Sequence, residues 1–367
     1  MNSLKYIDLT LYSLESRTDP DEIIRSQLQS LLYLDYLDPA MEKRVIRYCG
    51  INASFEKQGV RYEFIKGKNR KWGIRWKLFY ALKQYRPDAV LVHGFLFTLQ
   101  LILLRLFVGP KTKILVLNHA EQPLRFPKIL LQRIAARCID AYFFASLEQA
   151  DIWLDKKVFS SKNKLKEQWA GSTFFRYKDK AESKKEIGFC GETLFLWCGG
   201  LNENKDPLTI LKAFGRYAVQ SPASCLYLLY NSAELYKEVK QWIIDHQLTE
   251  QVILLGTLPH ADLEKYYQAA DFFLLGSHRE SMGFALFEAM ACGCIPIVTN
   301  IPSFRKMTDN GQCGFLFAPG SAEELYAVLA RLGSIEKTAA TERVLRKFTN
   351  DLSFKAIASG IEKEIKS

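Results

Sequence analysis

What is missing from this chain narrows it first. No apolar run is long enough to span a membrane. The most apolar stretch, residues 95–108, contains Gln100 and Arg105 and falls short of the roughly 20 residues a spanning helix needs. It reads as a buried helix. The opening MNSLKYIDLTLYSLES has no basic start followed by an apolar core, so no signal peptide is expected. There is no C-x-x-C. The eight cysteines (49, 138, 190, 198, 225, 292, 294 and 313) are scattered, which suits reduced thiols in a cytoplasmic protein better than a disulfide framework. Cys292-x-Cys294 has no His or Cys partners nearby at zinc spacing, and strand packing is the plainer reading. Low-complexity segments and repeats of fixed period are absent too.

What is present is ordinary in bulk and uneven in charge. The 367 residues suit two domains better than one. Hydrophobic content of 48% with 25% charged residues is that of a globular protein. The net charge is +10. Residues 1–172 carry 28 Lys+Arg against 17 Asp+Glu, whereas the rest carries 22 against 23. The first half should therefore face an anionic partner. Its densest part is KGKNRKWGIRWK, with Lys66, Lys68, Arg70, Lys71, Arg75 and Lys77 around Trp72 and Trp76. Taken alone this is a solvated basic face. Lys and Arg beside Trp also suit an anionic membrane surface, or nucleic acid through stacking on bases.

Apolar runs and helical periodicities alternate along both halves, which predicts parallel sheets covered by helices. In the first half, strands are expected at 6–12, 61–65, 89–92, 114–117 and 141–145. Helices are expected at 22–34, 76–85 and 127–138, with Ser146 capping another from Leu147. Asp19-Pro20-Asp21 is formally a D-x-D, the pattern that metal-dependent transferases use, but its place before a helix reads as a cap. A charged stretch at 160–166 leads to a domain junction near 170–190. In the second half, strands are expected at 194–197, 226–230 and 252–255. A helix follows Pro207, with proline at its first position. Another lies at 263–269, and a capping box at 321–324 opens one more. The last stretch, 342–365, is helical in pattern.

Residues 271–300, DFFLLGSHRESMGFALFEAMACGCIPIVTN, are the most informative. A buried strand (272–275) runs into a polar loop (277–281), Gly283 opens a helix, and a second strand follows (295–298). In such units ligands bind beyond the carboxyl ends of the strands. The helix start offers free N–H groups and the positive end of a dipole, which suit a phosphate. Glu280 and Glu288 flank that spot. Carboxylates repel phosphate and grip hydroxyls, so a ligand with both kinds of group, a nucleotide sugar, fits.

Glu280-Ser-Met-Gly-Phe-Ala-Leu-Phe-Glu288 and the following Ala-Met-Ala-Cys-Gly293-Cys-Ile-Pro296 resemble the E-x7-E segment of retaining glycosyltransferases of family 4. The resemblance implies the GT-B fold, with two Rossmann-like parallel-sheet domains facing across a cleft. Its expected divisions are an acceptor-binding domain at 1–172, a donor-binding domain at 173–345, and a C-terminal helix at 346–367 crossing back to the first domain. Met282, Gly283, Phe284 and Ala285 then belong to the donor site. Cys198-Gly199-Gly200-Leu201-Asn-Glu-Asn-Lys205 resembles the family's G-R-L-x-x-x-K-G loop. Gly199 and Gly200 let backbone approach the ligand, and Lys205 offers a mobile charge to the diphosphate. The family's arginine position is Gly200 here, a departure, and Arg279 is the nearest replacement in sequence. Residues 255–259, with Leu258, resemble the loop that packs on the nucleobase. His119 resembles the family histidine near the donor sugar. His93, one unit earlier, reads as structural. The family's first strand turns through a glycine-rich loop, and residues 10–21 have no glycine.

The expected function is a retaining transfer of a hexose-type sugar from a UDP or GDP donor to a hydroxyl acceptor, in cell-surface polysaccharide or glycolipid synthesis. No metal or other cofactor is expected. A lipid-linked acceptor would give the basic Trp-containing segment a role at the inner face of the cell membrane. Two alternatives stand beside this: a catalytically impaired scaffold of the same fold, and a nucleic-acid binder motivated only by the basic half.

Overall fold

The computed structural model describes residues 3–67 and 75–367. The chain divides into two compact units, residues 1–171 with 354–367, and residues 172–353.

The first unit is built on an eight-stranded sheet. Its strands are β1 (Lys5–Leu14), β2 (Glu42–Cys49), β3 (Ala53–Lys57), β4 (Val60–Lys66), β5 (Ala89–His93), β6 (Lys113–Leu117), β7 (Ala141–Phe144) and β8 (Leu165–Glu167). They lie in the order β3-β4-β2-β1-β5-β6-β7-β8. Every pair is parallel except β3 with β4. Central strands such as Ala89–His93 are buried along their whole length, as expected when helices cover both faces of a parallel sheet. The chain direction across the sheet reverses between β1 and β5.

Three expectations change here. The helix at 22–34 is broken into Pro20–Arg25, Leu28–Leu31 and a 3₁₀ turn, Leu32–Tyr36. Asp19 caps the first piece, its Oδ1 accepting the Asp21 N–H at 3.0 Å. Strands β2, β3 and β8 lie where the sequence pattern predicts none. The Thr98–Val108 helix is not fully buried, because Leu106 is 71% exposed. Ser146 precedes only a 3₁₀ turn, Leu147–Ala150, and makes no side-chain cap bond. The Leu147 N–H goes instead to Glu167 Oε1 at 3.1 Å.

The second unit has six strands, all parallel: β9 (Thr193–Gly199), β10 (Ser224–Tyr230), β11 (Val252–Gly256), β12 (Phe272–Leu275), β13 (Ile295–Thr299) and β14 (Phe315–Phe317). Their order is β11-β10-β9-β12-β13-β14, so the reversal falls between β9 and β12. Phe195 and Phe272 stack there with centroids 5.2 Å apart. Open parallel sheets bind ligands at such a reversal, beyond the carboxyl ends of the strands. At Ser321 the hydroxyl accepts the Glu324 N–H, but the Glu324 carboxylate reaches the Ala318 N–H rather than closing the reciprocal bond.

The final helical stretch is not continuous. The helix Lys337–Lys347 runs into a π-turn, Phe348–Leu352, and a separate helix, Phe354–Lys366, follows. This last helix belongs to the first unit, where Glu362 Oε1 accepts the Asp38 N–H at 2.6 Å.

Candidate active site

In the second unit, the loops after β9 and β12 stand side by side because their strands are neighbours. Asn204 stitches them together: its carbonyl accepts the His278 N–H (2.8 Å), its Oδ1 accepts the Arg279 N–H (3.2 Å), and its Nδ2 donates to the Arg279 carbonyl (3.1 Å). Gly276 allows this approach, since a Cβ there would sit 3.0 Å from the Asp206 carbonyl oxygen. Asp206 takes up a left-handed conformation (φ +43°) and caps the helix Pro207–Gln220 by accepting the Thr209 N–H. Its Oδ2 lies 3.2 Å from His278 Nε2.

Lys205 and Glu280, 75 residues apart, form an ion pair between these loops. Both side chains are mostly shielded, at 21% and 13% exposure. Ser277 Oγ also donates to Glu280 Oε1 at 2.9 Å. Lys205 is therefore not the mobile charge the sequence suggested. Arg279 is exposed and is tied in through its backbone.

Gly283 (φ +73°) starts the helix Phe284–Ala291. A Cβ at Gly283 would meet Phe304 Cε1 at 2.7 Å, so both conformation and space call for glycine. Helix geometry leaves the first N–H groups outside the intrahelical ladder. Met282 and Gly283 are buried, and Phe284 and Ala285 are half-buried. Glu288, one turn further on, is 8% exposed and lies 3.3 Å from His260 Nε2. That hydrogen bond raises the His260 pKa against its partial burial. His260 was not singled out from sequence. It directly follows Leu258-Pro259 in the segment that was, and that adjacency was the available signal. Phe174 and Phe175 pack on its ring, with centroids 5.3 and 5.0 Å away.

Gly199 closes β9 and Gly200 follows it. A Cβ on Gly199 would meet only ordinary contacts, including the Lys205 side chain at 3.5 Å. A Cβ on Gly200 would lie 2.4 Å from Ser232 Oγ and 2.8 Å from Asn202 Nδ2. The family's arginine is thus replaced at a position where any side chain would require the ends of Ser232 and Asn202 to move aside.

In the first unit the β1/β5 reversal holds a second polar cluster. Asp8, fully buried on β1, receives hydrogen bonds from Arg47 Nη2 (2.5 Å) and Tyr33 Oη (2.6 Å). His93 ends β5, with Nε2 2.9 Å from Asp8 Oδ1 and Nδ1 3.0 Å from His119 Nε2. The two rings lie 22° from parallel with centroids 5.2 Å apart, joined edge to edge by that contact. His119 is exposed, and its Nε2 faces His93. Loss of hydration lowers its pKa. His93, read from sequence as structural, is thus in contact with His119. Beside them Glu121 accepts the Phe95 N–H on both carboxylate oxygens (3.1 and 3.0 Å). Burial pushes its pKa up to about 7. Glu121 also went unremarked in the sequence.

Of the basic segment, Lys68, Arg70, Lys71 and Trp72 lie outside the described residues. Lys66 and Lys77 are exposed. Arg75 is drawn inward, its guanidinium 3.6 Å over the Tyr48 ring and bonded to the Leu11 carbonyl. Trp76, Lys77, Tyr80, Ala81, Gln84 and Phe107 line an open groove of about 550 Å³. Trp76 and Tyr80 are more than half exposed. Among the described residues, no group of three or more His, Cys, Asp or Glu is placed to hold a metal ion, and no helix is long and apolar enough to cross a membrane.

Residues 179–343 match the family of glycosyl transferases group 1. The chain is 29% identical over 150 residues to the amylovoran biosynthesis glycosyltransferase AmsK of Erwinia amylovora, covering 37% of each chain. It is 26% identical over 171 residues to the D-inositol 3-phosphate glycosyltransferase of Thermobifida fusca, covering 44% of this chain and 39% of that one. The matched part thus spans about two fifths of the length of these curated relatives. Among solved structures, HepE of Anabaena in complex with UDP and glucose superposes with a TM-score of 0.68 at 15% identity, covering all of both chains. A glycosyltransferase from Rickettsia africae gives 0.72 at 14%, covering 100% of this chain and 98% of that one. These likenesses show the fold, two Rossmann-like α/β domains of the GT-B kind.

Proposed function

We propose that this chain is a retaining glycosyltransferase that moves a hexose-type sugar from a nucleotide-diphosphate donor to a hydroxyl acceptor. The observation that supports this most directly is the joining of the β9 and β12 loops through Asn204 and the Lys205–Glu280 pair. One cation, two carboxylates and a helix N-terminus gather at the sheet reversal of the unit that matches the transferase family.

In this reading the start of the helix Phe284–Ala291 and Lys205 take the diphosphate. They act on the charge that grows as the bond to the sugar breaks. Glu280 takes donor sugar hydroxyls, and Glu288 takes the ribose. The bond between C1 of the sugar and the phosphate oxygen breaks while the acceptor oxygen bonds to C1 on the same face. The acceptor proton passes to the departing phosphate. No residue serves as nucleophile, and no metal or other cofactor is required. Leu258 and its neighbours pack against the base, and His119 contacts a sugar hydroxyl. A thermal-shift screen against UDP, GDP and their sugar conjugates, followed by NMR of the product anomer, tests the reading. Stabilisation by a nucleotide sugar and a retained anomeric configuration are expected. An inverted product overturns the retaining mechanism, and a complete lack of stabilisation overturns the donor assignment.

The acceptor is proposed to be lipid-linked, in polysaccharide or glycolipid synthesis at the inner face of an anionic membrane. The exposed Trp76 and Tyr80 beside Lys77 favour this over nucleic acid, since the rings border an apolar groove. Sedimentation with phosphatidylglycerol vesicles but not with phosphatidylcholine vesicles is expected. Retention on DNA without vesicle binding would favour the nucleic-acid reading.

A further inference from the structure

The first unit contains a file of hydrogen-bonded groups in which each proton position dictates the next. It begins at Asp8. Burial alone would raise this carboxyl's pKa, but the Arg47 guanidinium reverses that and holds it well below the usual range. An ionised carboxylate only accepts. His93 Nε2, 2.9 Å from Asp8 Oδ1, therefore carries a proton. Asp8 has one negative charge, and the Arg47 guanidinium already balances it at 2.5 Å. A second cation at His93, which is 3% exposed, would be a buried charge without a counter-charge. His93 Nδ1 is then a bare lone pair. It lies 3.0 Å from His119 Nε2, and only a proton on that nitrogen makes this a hydrogen bond. His119 Nδ1 is left without one.

We infer that Asp8 and His93 are positioning residues that fix His119 in its Nε2–H tautomer, so that its Nδ1 accepts a hydrogen bond from a ligand hydroxyl. The surroundings hold the file rigid. Tyr33 Oη donates to Asp8 Oδ2 (2.6 Å) and lies 2.8 Å from Tyr6 Oη. Arg47 is further held by Gln27 Oε1 at 2.7 Å and by the Asp8 carbonyl at 2.9 Å. The His93 and His119 rings lie 22° from parallel and meet edge to edge, so His119 cannot turn its Nε2 away without losing that hydrogen bond. An Nδ1 held bare takes a hydroxyl donor and gives no hydrogen to a phosphate. The file thus selects the sugar or acceptor side of a ligand and not its diphosphate. The tautomer itself follows from this unit alone. Only the identification of the hydroxyl as a sugar's rests on the function proposed above.

The test is long-range ¹H–¹⁵N NMR of the full chain labelled at histidine, at pH 7, with His93→Gln and His119→Asn spectra supplying the assignments. Both rings are expected to show a protonated Nε2 and an unprotonated Nδ1. A His119 ring protonated on Nδ1, or on both nitrogens, overturns the inference whether or not the protein transfers sugar. In the transfer assay, His93→Phe is expected to lower kcat/KM about tenfold, a step of the size of one lost hydrogen bond, and the His119 signals should move toward a tautomer mixture. Unmoved His119 signals in that variant overturn the role given to His93. The expected tautomers in a protein that binds no nucleotide sugar would uphold this inference and sink the functional reading instead.

Discussion

Lys205 and Glu280 close on each other across two loops whose strands, β9 and β12, are adjacent in the sheet. The pair stores a cation beside the helix start at Gly283 and keeps it from collapsing elsewhere. Lys205→Ala removes that cation from beside Glu280. Affinity for UDP or GDP should fall by about 1.5–3 kcal/mol, the usual loss for a charged hydrogen bond. Isothermal titration calorimetry checks this, and unchanged nucleotide affinity would remove Lys205 from the site.

Gly200 makes a steric prediction. Putting the family's arginine back should not help, since its Cβ would displace Ser232 Oγ and Asn202 Nδ2 from where they now lie. Gly200→Arg alone is expected to destabilise the protein by about 1–3 kcal/mol, as overpacking does. Adding Ser232→Gly should recover part of that loss in urea denaturation. A stable single variant with tighter nucleotide binding would contradict the geometry.

Glu288 is nearly buried and has His260 as a neighbour. Glu288→Gln keeps the shape but removes the charge. Nucleotide affinity should weaken by about 1.5–3 kcal/mol if this carboxylate takes two ribose hydroxyls. Calorimetry with UDP and with inorganic pyrophosphate separates the roles, because only the nucleotide should feel the change. In the free protein the His260 pKa, raised mainly by the Glu288 hydrogen bond, should drop in the variant's NMR titration.

Glu121 gives a pH dependence with a defined sign. Its pKa is raised to about 7 in the folded chain, against an ordinary value near 4.5. Between those values the folded state holds a proton that the unfolded state has released. The group therefore costs stability progressively as pH rises through that window. Glu121→Gln escapes this cost. The Tm difference, variant minus parent, should move in the variant's favour from pH 5 to pH 8. A difference that is flat, or that moves the other way, contradicts the raised pKa.

How legible all this was in sequence depended on where charge sat. Strands such as β5, β6 and β12 are legible as short runs of four apolar residues. β2 did not, because it reads EKRVIRYC. Yet it lies beside β1 near the middle of the sheet, with Lys43 8% and Arg47 1% exposed. An inward arginine looks like surface until its partner, Asp8, is known. The same arginine accounts for part of the broken helix at 22–34. Gln27, at the break, turns its Oε1 to Arg47 Nε at 2.7 Å, and Ser26 and Ser30 bond back to Ile23 and Gln27 carbonyls. Glu280, Gly283 and Glu288 were readable because a loop and one helix set their spacing. His260 and Asn204 were not, since their partners come from a separate helix and a separate loop, 28 and 75 residues away.

The helix Phe354–Lys366 completes a unit whose other residues end at 171. During synthesis the second unit has all its strands available before the first has its final helix. The earlier-made sheet must therefore wait on the ribosome with the surface that receives Ile357, Ile361 and Ile365 uncovered, while the later-made one is free to fold ahead of it.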